Sequence, residues 1–250
     1  MTEDAIVATT GTHIGTGRTG LPHLRQIVLL TGDLAGAMAA ARAAFLFPPG
    51  TRDEPGMAAI GFRHEVVGFD HTYLEICEPL DPQSTPGRRI TRDGDSGFMV
   101  VVQVADAAAM LRRGAECGLS PLMAGDFHGS PISQWHPRDF GTIAEFDEMI
   151  PPHSWHLAPA VYDSRNTAVV ADITRVRLAV PEPEEMARRW AVVTGGSLLP
   201  DGTTVGLGNG TVGFVPRAEG TPAFAVDCLA ADRALVGTVV RLCGVDFTLI

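Results

Sequence analysis

With 250 residues, 45% of them hydrophobic and 19% charged, the chain can bury a core as one large domain or two ordinary ones, and is not disordered. A formal net charge of −10 argues against a nucleic-acid or anionic-membrane partner, whose usual footprint is a basic patch. No apolar run approaches the ~20 residues that span a bilayer, and Cys77, Cys117, Cys228 and Cys243 lie far apart without C-x-x-C, reading as reduced thiols of a cytoplasmic protein.

Residues 1–20 are rich in Thr and Gly and read as a flexible arm. Gly15-Thr16-Gly17-Arg18-Thr19-Gly20 has G-x-G-x-x-G spacing, but Leu21-Pro22 follows rather than a helix, so a dinucleotide loop is rejected. Residues 24–30 form an apolar strand, and Asp33 caps an Ala-rich helix over 34–45 closed by Pro48-Pro49-Gly50. Residues 58–69 and 72–79 read as two or three strands. The order then repeats: a strand over 98–104, a helix over 105–117 stopped by Gly118, and a hairpin of 132–135 with 142–146. Residues 151–170 are irregular and connect. A third start follows, with a strand over 173–180, a helix over 182–193, and a hairpin turning at Asn209-Gly210. The last unit is a strand over 223–227, a helix over 230–242 and a strand over 245–250.

The first two units end alike. Tyr73-Leu74-Glu75-Ile76-Cys77-Glu78 and Ile143-Ala144-Glu145-Phe146-Asp147-Glu148 both carry Glu-x-x-Glu, 42 residues after Asp33 and 39 after Asp106 respectively. Such a repeat implies two copies of one supersecondary unit, each delivering a carboxylate to a shared place. Two carboxylates so gathered suit proton transfer or a metal. Strand alternation puts Tyr73 and Cys77 on the face of Glu75, and Ile143 and Asp147 on that of Glu145. Gln134 and His136, two apart, share a face of the hairpin leading to Glu145. His136 reads either as a turn-edge residue bonded to backbone or as an acid/base group, and Arg138 as a solvated turn residue or a clamp on an anionic substrate. His64 and His71 read as surface or turn residues. His153 and His156 read as inter-domain packing or as a lid beside Trp155.

Four β-α-β-β-β-type units with strand-borne glutamates resemble the glyoxalase/bleomycin-resistance group, the vicinal oxygen chelate superfamily. The run from Trp135 to Phe146, with His136-Pro137 and Gly141-Thr142-Ile143-Ala144-Glu145, is similar to the ending of methylmalonyl-CoA epimerases in that superfamily. The resemblance implies an α+β fold of curved mixed sheets, half-barrels with helices outside. It divides the chain into a first glyoxalase-like domain over 21–150 and a degenerate second one over 171–250. It also implies four metal-ligand positions, which fall on Gln26, Glu75, Met99 and Glu145. A thioether is a poor partner for oxygen-ligated ions, so a divalent Mg, Mn, Zn or Fe ion would rest on Gln26, Glu75 and Glu145. Met99 marks either a lost metal or a ligand supplied by a neighbour such as His71 or His136.

The expected function is a glyoxalase-like isomerase, epimerase, lyase or hydratase acting on an oxygenated carbonyl or acyl compound. Its catalytic residues would be Glu145, Glu75 and His136, with Gln134, Tyr73, Met99 and Arg138 against the substrate. The alternatives are a ligand-sequestering protein of the bleomycin-resistance type and, more weakly, an extradiol-type dioxygenase. Whether a homodimer completes the pocket stays open.

Overall fold

The computed structural model describes residues 20–250. The arm and all of the Gly15-to-Gly20 motif except Gly20 therefore lie outside the described residues. The first half runs β1 (His23–Leu30), α1 (Leu34–Phe45), α2 (Glu54–Ala59), β2 (Phe62–Gly68), β3 (Tyr73–Pro79) and α3 (Thr85–Asp93). It continues with β4 (Ser96–Gln103), α4 (Ala107–Glu116), β5 (Met123–Phe127), β6 (Ser130–Trp135), α5 (Pro137–Phe140) and β7 (Ile143–Asp147). Its strands form one mixed sheet in the order β2-β3-β1-β4-β7-β6-β5, curled as a half-barrel. Within each unit the first and last strands are parallel neighbours, and β1 and β4 join the two units antiparallel.

After α6 (Ala160–Asp163), the second half gives β8 (Val170–Val180), α7 (Pro183–Thr194), β9 (Ser197–Leu198), β10 (Thr204–Leu207) and β11 (Gly210–Pro216). Then come β12 (Phe224–Ala230), a 3-10 turn at Arg233–Leu235, β13 (Val239–Leu242) and β14 (Val245–Leu249). These strands make a second seven-stranded sheet, β13-β14-β12-β8-β11-β10-β9, with the same parallel and antiparallel plan. Among the described residues no helix is long and apolar enough to cross a membrane.

Alternation sorts the side chains of the first sheet. Ile27, Leu29, Leu74, Ile76, Val100, Val102, Ala144 and Phe146 face the helices and merge with the second sheet's apolar face into one core. The rings of Phe45 and Phe247 meet there with centroids 5.7 Å apart, and Phe146 stands edge-on to Trp190 at the same distance. Val28, Leu30, Tyr73, Cys77, Met99 and Val101 face the opposite, concave side. Leu24 pairs with Val102 of β4, but β3 runs beside β1 only from Gln26 onward, which leaves the other edge of Leu24 without a strand neighbour. The Asn209 hairpin tip fills that gap: Leu24 N–H donates to Asn209 Oδ1, and Asn209 Nδ2 donates to the Leu24 carbonyl, both at 2.8 Å.

The Glu-x-x-Glu repeat has a physical reading in this arrangement. Three residues apart on a strand, its two glutamates point to opposite faces. The second one caps the helix of its own unit: Glu78 Oε2 accepts from Leu34 N–H and Glu148 Oε2 from Ala107 N–H, each at 3.0 Å. With Asp33 and Asp106 accepting from Gly36 and Ala109, the free N–H groups of α1 and α4 find carboxylates, as the helix dipole favours.

The structure corrects several expected elements. Residues 230–242 are not a helix. Asp232 caps a single 3-10 turn, Gly237 takes φ +89, and the β-branched Val239-Val240 join the sheet. The strand expected from 58 begins at Phe62, because Asp53 caps α2 and Gly61 (φ +86) turns the chain. Helices α2, α3 and α6 and strand β5 were not anticipated.

Candidate functional site

The concave face of the first sheet carries a chain of polar groups. On β1 Gln26 is buried, donating from Nε2 to Glu75 Oε2 at 2.7 Å and accepting at Oε1 from Trp155 Nε1 at 2.9 Å. The other Glu75 oxygen meets His64 Nδ1 at 2.5 Å and Cys77 Sγ at 3.3 Å. His64 Nε2 accepts from Asp53 N–H at 2.8 Å, which fixes the neutral tautomer with the proton on Nδ1, donating to Glu75. Tyr73 is fully buried; its hydroxyl accepts from Arg165 at 2.5 Å, and its ring stacks on Trp155 with 5.7 Å between centroids and 6° between planes.

Across the face, Gln134 Nε2 donates to Glu145 Oε2 at 2.6 Å. Asp147 is fully buried, lies within hydrogen-bonding reach of Glu145, and meets His156 Nε2 at 2.9 Å through Oδ2. Burial and the Asp147 charge push the Glu145 carboxyl up to about 8, with Glu75 adding to the rise and Gln134 and His156 opposing it. Burial likewise pushes Asp147 well above the usual carboxylate range, with neighbouring Glu145 opposing the rise, and holds the His156 imidazole below its usual value. The Cys77 thiol is raised by burial, then by the charges of Glu75 and Glu145. Two carboxyl groups from the two units therefore act within one electrostatic neighbourhood.

Three expected site residues fall elsewhere in character. His136 is exposed and caps α5, its Nδ1 accepting from Arg138 N–H at 2.9 Å. The chain leaves the cup at Pro137, and the short α5 packs on α7 on the helix side, so alternation from Gln134 ends one residue too early for His136. Arg138 projects into solvent and pairs with Asp139. Met99 does face the cup, where it packs with Val28 and Val101 in an apolar cluster. The groups overlooked as site members are His64, Gln103, Asp147 and His156. Strand alternation had put Asp147 on the right face. His156 carries no local signal, because it arrives from the connecting segment.

That segment covers the cup. Met149, Trp155 and Val161 are buried against it, Gln103 Nε2 holds the Pro152 carbonyl at 2.7 Å, and the Phe127 ring lies edge-on to His156 at 5.2 Å. A cleft of about 440 Å³, lined by Thr51, Arg52, Phe127, His128, Met149 and Ala160 among others, reaches Trp155 and His156 from outside. Its size suits a small molecule.

Hydrogen bonds already join the ligand positions of the resemblance to one another and to their neighbours. Both ends of the Gln26 amide are engaged, both Glu75 oxygens already accept hydrogen bonds, and Met99 offers only sulfur. A different set offers close donors: one ligand atom each of Glu145, Asp147 and His156 lie within 4.8 Å of one another.

The sequence profile of a glyoxalase-like domain matches residues 27–194. No curated protein matches in sequence. Among solved structures, a mutant 4-hydroxymandelate synthase from Streptomyces coelicolor superposes with a TM-score of 0.64 at 15% identity, covering 84% of this chain and 71% of that one. A methylmalonyl-CoA epimerase variant from Streptomyces coelicolor (TM-score 0.46, 20% identity) covers 54% of this chain and 99% of its own. The epimerase from Mycobacterium tuberculosis (0.44, 21%) covers 57% and 92%. At these identities the likeness concerns fold alone. Since the profile takes in well over half of the residues, the chain belongs to the glyoxalase-like domain family of the vicinal oxygen chelate superfamily.

Proposed function

We propose that this protein is a small-molecule isomerase or epimerase, with lyase or hydratase chemistry the nearest variant, acting on a carbonyl or acyl compound by moving a proton beside its oxygenated carbon. The observation that carries this reading is the meeting of two unlike carboxyl groups in one covered cup. Glu75 is ringed by donors from His64, Gln26 and Cys77. Glu145 and Asp147 instead stand two apart on the same face of β7, where burial raises both carboxyl groups. Carboxyl groups in such unlike surroundings can divide base and acid duties.

In this mechanism Glu75 takes the proton from the carbon, oriented by the fixed Nδ1–H of His64. The Glu145–Asp147 pair presents its proton to the oxygen on which negative charge develops, where a donor in a water-poor cup is most effective. Gln134 holds Glu145 in place, and Tyr73 walls the substrate. The divalent ion expected on Gln26, Glu75 and Glu145 is not part of this reading. His136 and Arg138 have no part in it either.

The reading is tested with a panel of small 2-substituted acyl thioesters and 2-oxo acids in deuterated water, following exchange at the carbon by NMR. Exchange is expected for at least one compound, with a loss of about 100-fold or more in Glu75→Gln. An unaffected Glu75→Gln variant, or no exchange with any compound, removes the proposal.

A further inference from the structure

We propose that Glu145, Asp147 and His156 form a site for one divalent transition ion, of the Mn²⁺, Fe²⁺ or Zn²⁺ kind, which fastens the segment after β7 to the cup. The donors come from two places. Glu145 and Asp147 stand two apart on β7 and so share its concave face, while His156 reaches them from the covering segment. One ligand atom from each lies within 4.8 Å of the others, a span that one ion with bonds of ~2.0–2.3 Å can bridge after small side-chain adjustments.

Buried oxygens without donors point independently to a missing cation. Asp147 is fully buried and, among the described residues, its Oδ1 has no hydrogen-bond partner. Gln103, fully buried and paired with Asp147 across β4–β7, also has an Oε1 without a partner, its amide nitrogen being spent on the Pro152 carbonyl. Protein structures seldom leave such acceptors unsatisfied, and a cation on Asp147 would satisfy its Oδ1. Gln134 steadies Glu145 as an outer partner steadies a ligand, and the rings of Phe127 and Trp155 flank His156 at 5.2 and 4.8 Å, limiting water. Two carboxylates with an imidazole suit Mn²⁺, Fe²⁺ or Zn²⁺ better than Cu(I) or Ca²⁺. Only Glu145 is common to this set and the four positions the resemblance implies. A bound ion would take the place of the proton that the Glu145–Asp147 pair otherwise offers the substrate oxygen; that use rests on the proposed function, whereas the ion's binding does not.

The experiment strips the full-length protein with a chelator, dialyses it against micromolar Mn²⁺ or Zn²⁺ and counts retained metal by mass spectrometry. About one ion per chain is expected. Asp147→Asn and His156→Ala should each weaken retention at least ~10-fold, and Glu75→Gln and Met99→Leu should retain it. Should Asp147→Asn fail to fold, His156→Ala decides, since that side chain comes from the covering segment rather than the sheet. Mn²⁺ should also slow proteolysis within residues 149–165 in the wild type but not in His156→Ala. No uptake by the wild type overturns the proposal. So does uptake indifferent to His156→Ala, or uptake lost in Glu75→Gln and kept in His156→Ala. Uptake without deuterium exchange would remove the proposed function and leave the site, and exchange without uptake would do the reverse.

Discussion

By strand register, Gln26, Glu75 and Glu145 of the first sheet correspond to Arg175, Gly213 and Thr248 of the second. Gln26 and Arg175 occupy like places opposite Val101 and Asp227, and each correspondence follows from the strand pairings. The first concave face thus holds carboxyl groups among neutral partners, roofed by the segment carrying Trp155 and His156. On the second, Asp227 meets Arg177 at 2.6 Å and Arg175 at 3.8 Å, and both arginines remain substantially exposed. One topology therefore gives two unlike faces, depending on what accompanies the acids and what covers them. A guanidinium beside a carboxylate stabilises its ionised form, whereas burial beside another carboxyl group destabilises it.

The roof is the largest difference, and removing its anchor should have the largest effect. Trp155→Ala deletes a buried indole that stacks on Tyr73 and hydrogen-bonds Gln26. A loss of about 3–5 kcal/mol is expected from denaturant unfolding, with faster hydrogen exchange across residues 149–165. A change below about 1 kcal/mol would mean that the segment does not depend on its tryptophan.

A second, smaller effect concerns the wall behind the first cup. Glu65 is almost wholly buried, with both oxygens on arginines, Arg42 and Arg52, and on Gly50 N–H. Burial alone would raise its carboxyl; Arg52, Gly50 N–H and Arg42 outweigh that and hold it below the usual range. A depressed folded-state value means the contribution is complete above the ordinary Glu value of ~4.3 and is lost as pH falls through the folded one. Stability should therefore drop on acidification below about pH 4.3 more steeply in the wild type than in Glu65→Gln. That variant should itself cost about 3 kcal/mol at neutral pH, because two guanidinium groups lose their counter-charge. Parallel acid unfolding curves for the two proteins would refute this assignment.

Much of this comparison could be read in advance because it is periodic. Alternation sorted Glu75 and Glu145 from Leu74, Ile76, Ala144 and Phe146, and Asp33 and Asp106 marked the helix starts. What escaped reading depends on contacts between distant parts of the chain. His64 acquires its role through Asp53 on one side and Glu75 on the other, and neither contact leaves a trace in local spacing. His156 reaches Asp147 only because the segment between the sheets folds back over the cup. His136 misled for the complementary reason, since period-two alternation holds only while the strand lasts and Pro137 ends it. In the last unit, an apolar run over 230–242 was compatible with helix or strand, and Gly237 with the β-branched Thr238-Val239-Val240 decided for the strand.

The smallest expected effect probes the open face. Arg177 donates to Asp227 at 2.6 Å, yet its side chain is 40% exposed, so Coulomb attraction is screened and holding the pair together costs side-chain freedom. Arg177→Ala should change stability by less than about 1 kcal/mol. Arg175, 3.8 Å from the same carboxylate, remains to answer its charge, which lowers the cost further. The double variant Arg175→Ala/Arg177→Ala removes that cover and leaves Asp227, itself buried, beside neither cation. If the guanidinium groups are what sets this face apart, the double variant should cost clearly more than the sum of the two single ones. Strict additivity in denaturant unfolding would instead assign the difference between the two faces to the roof alone.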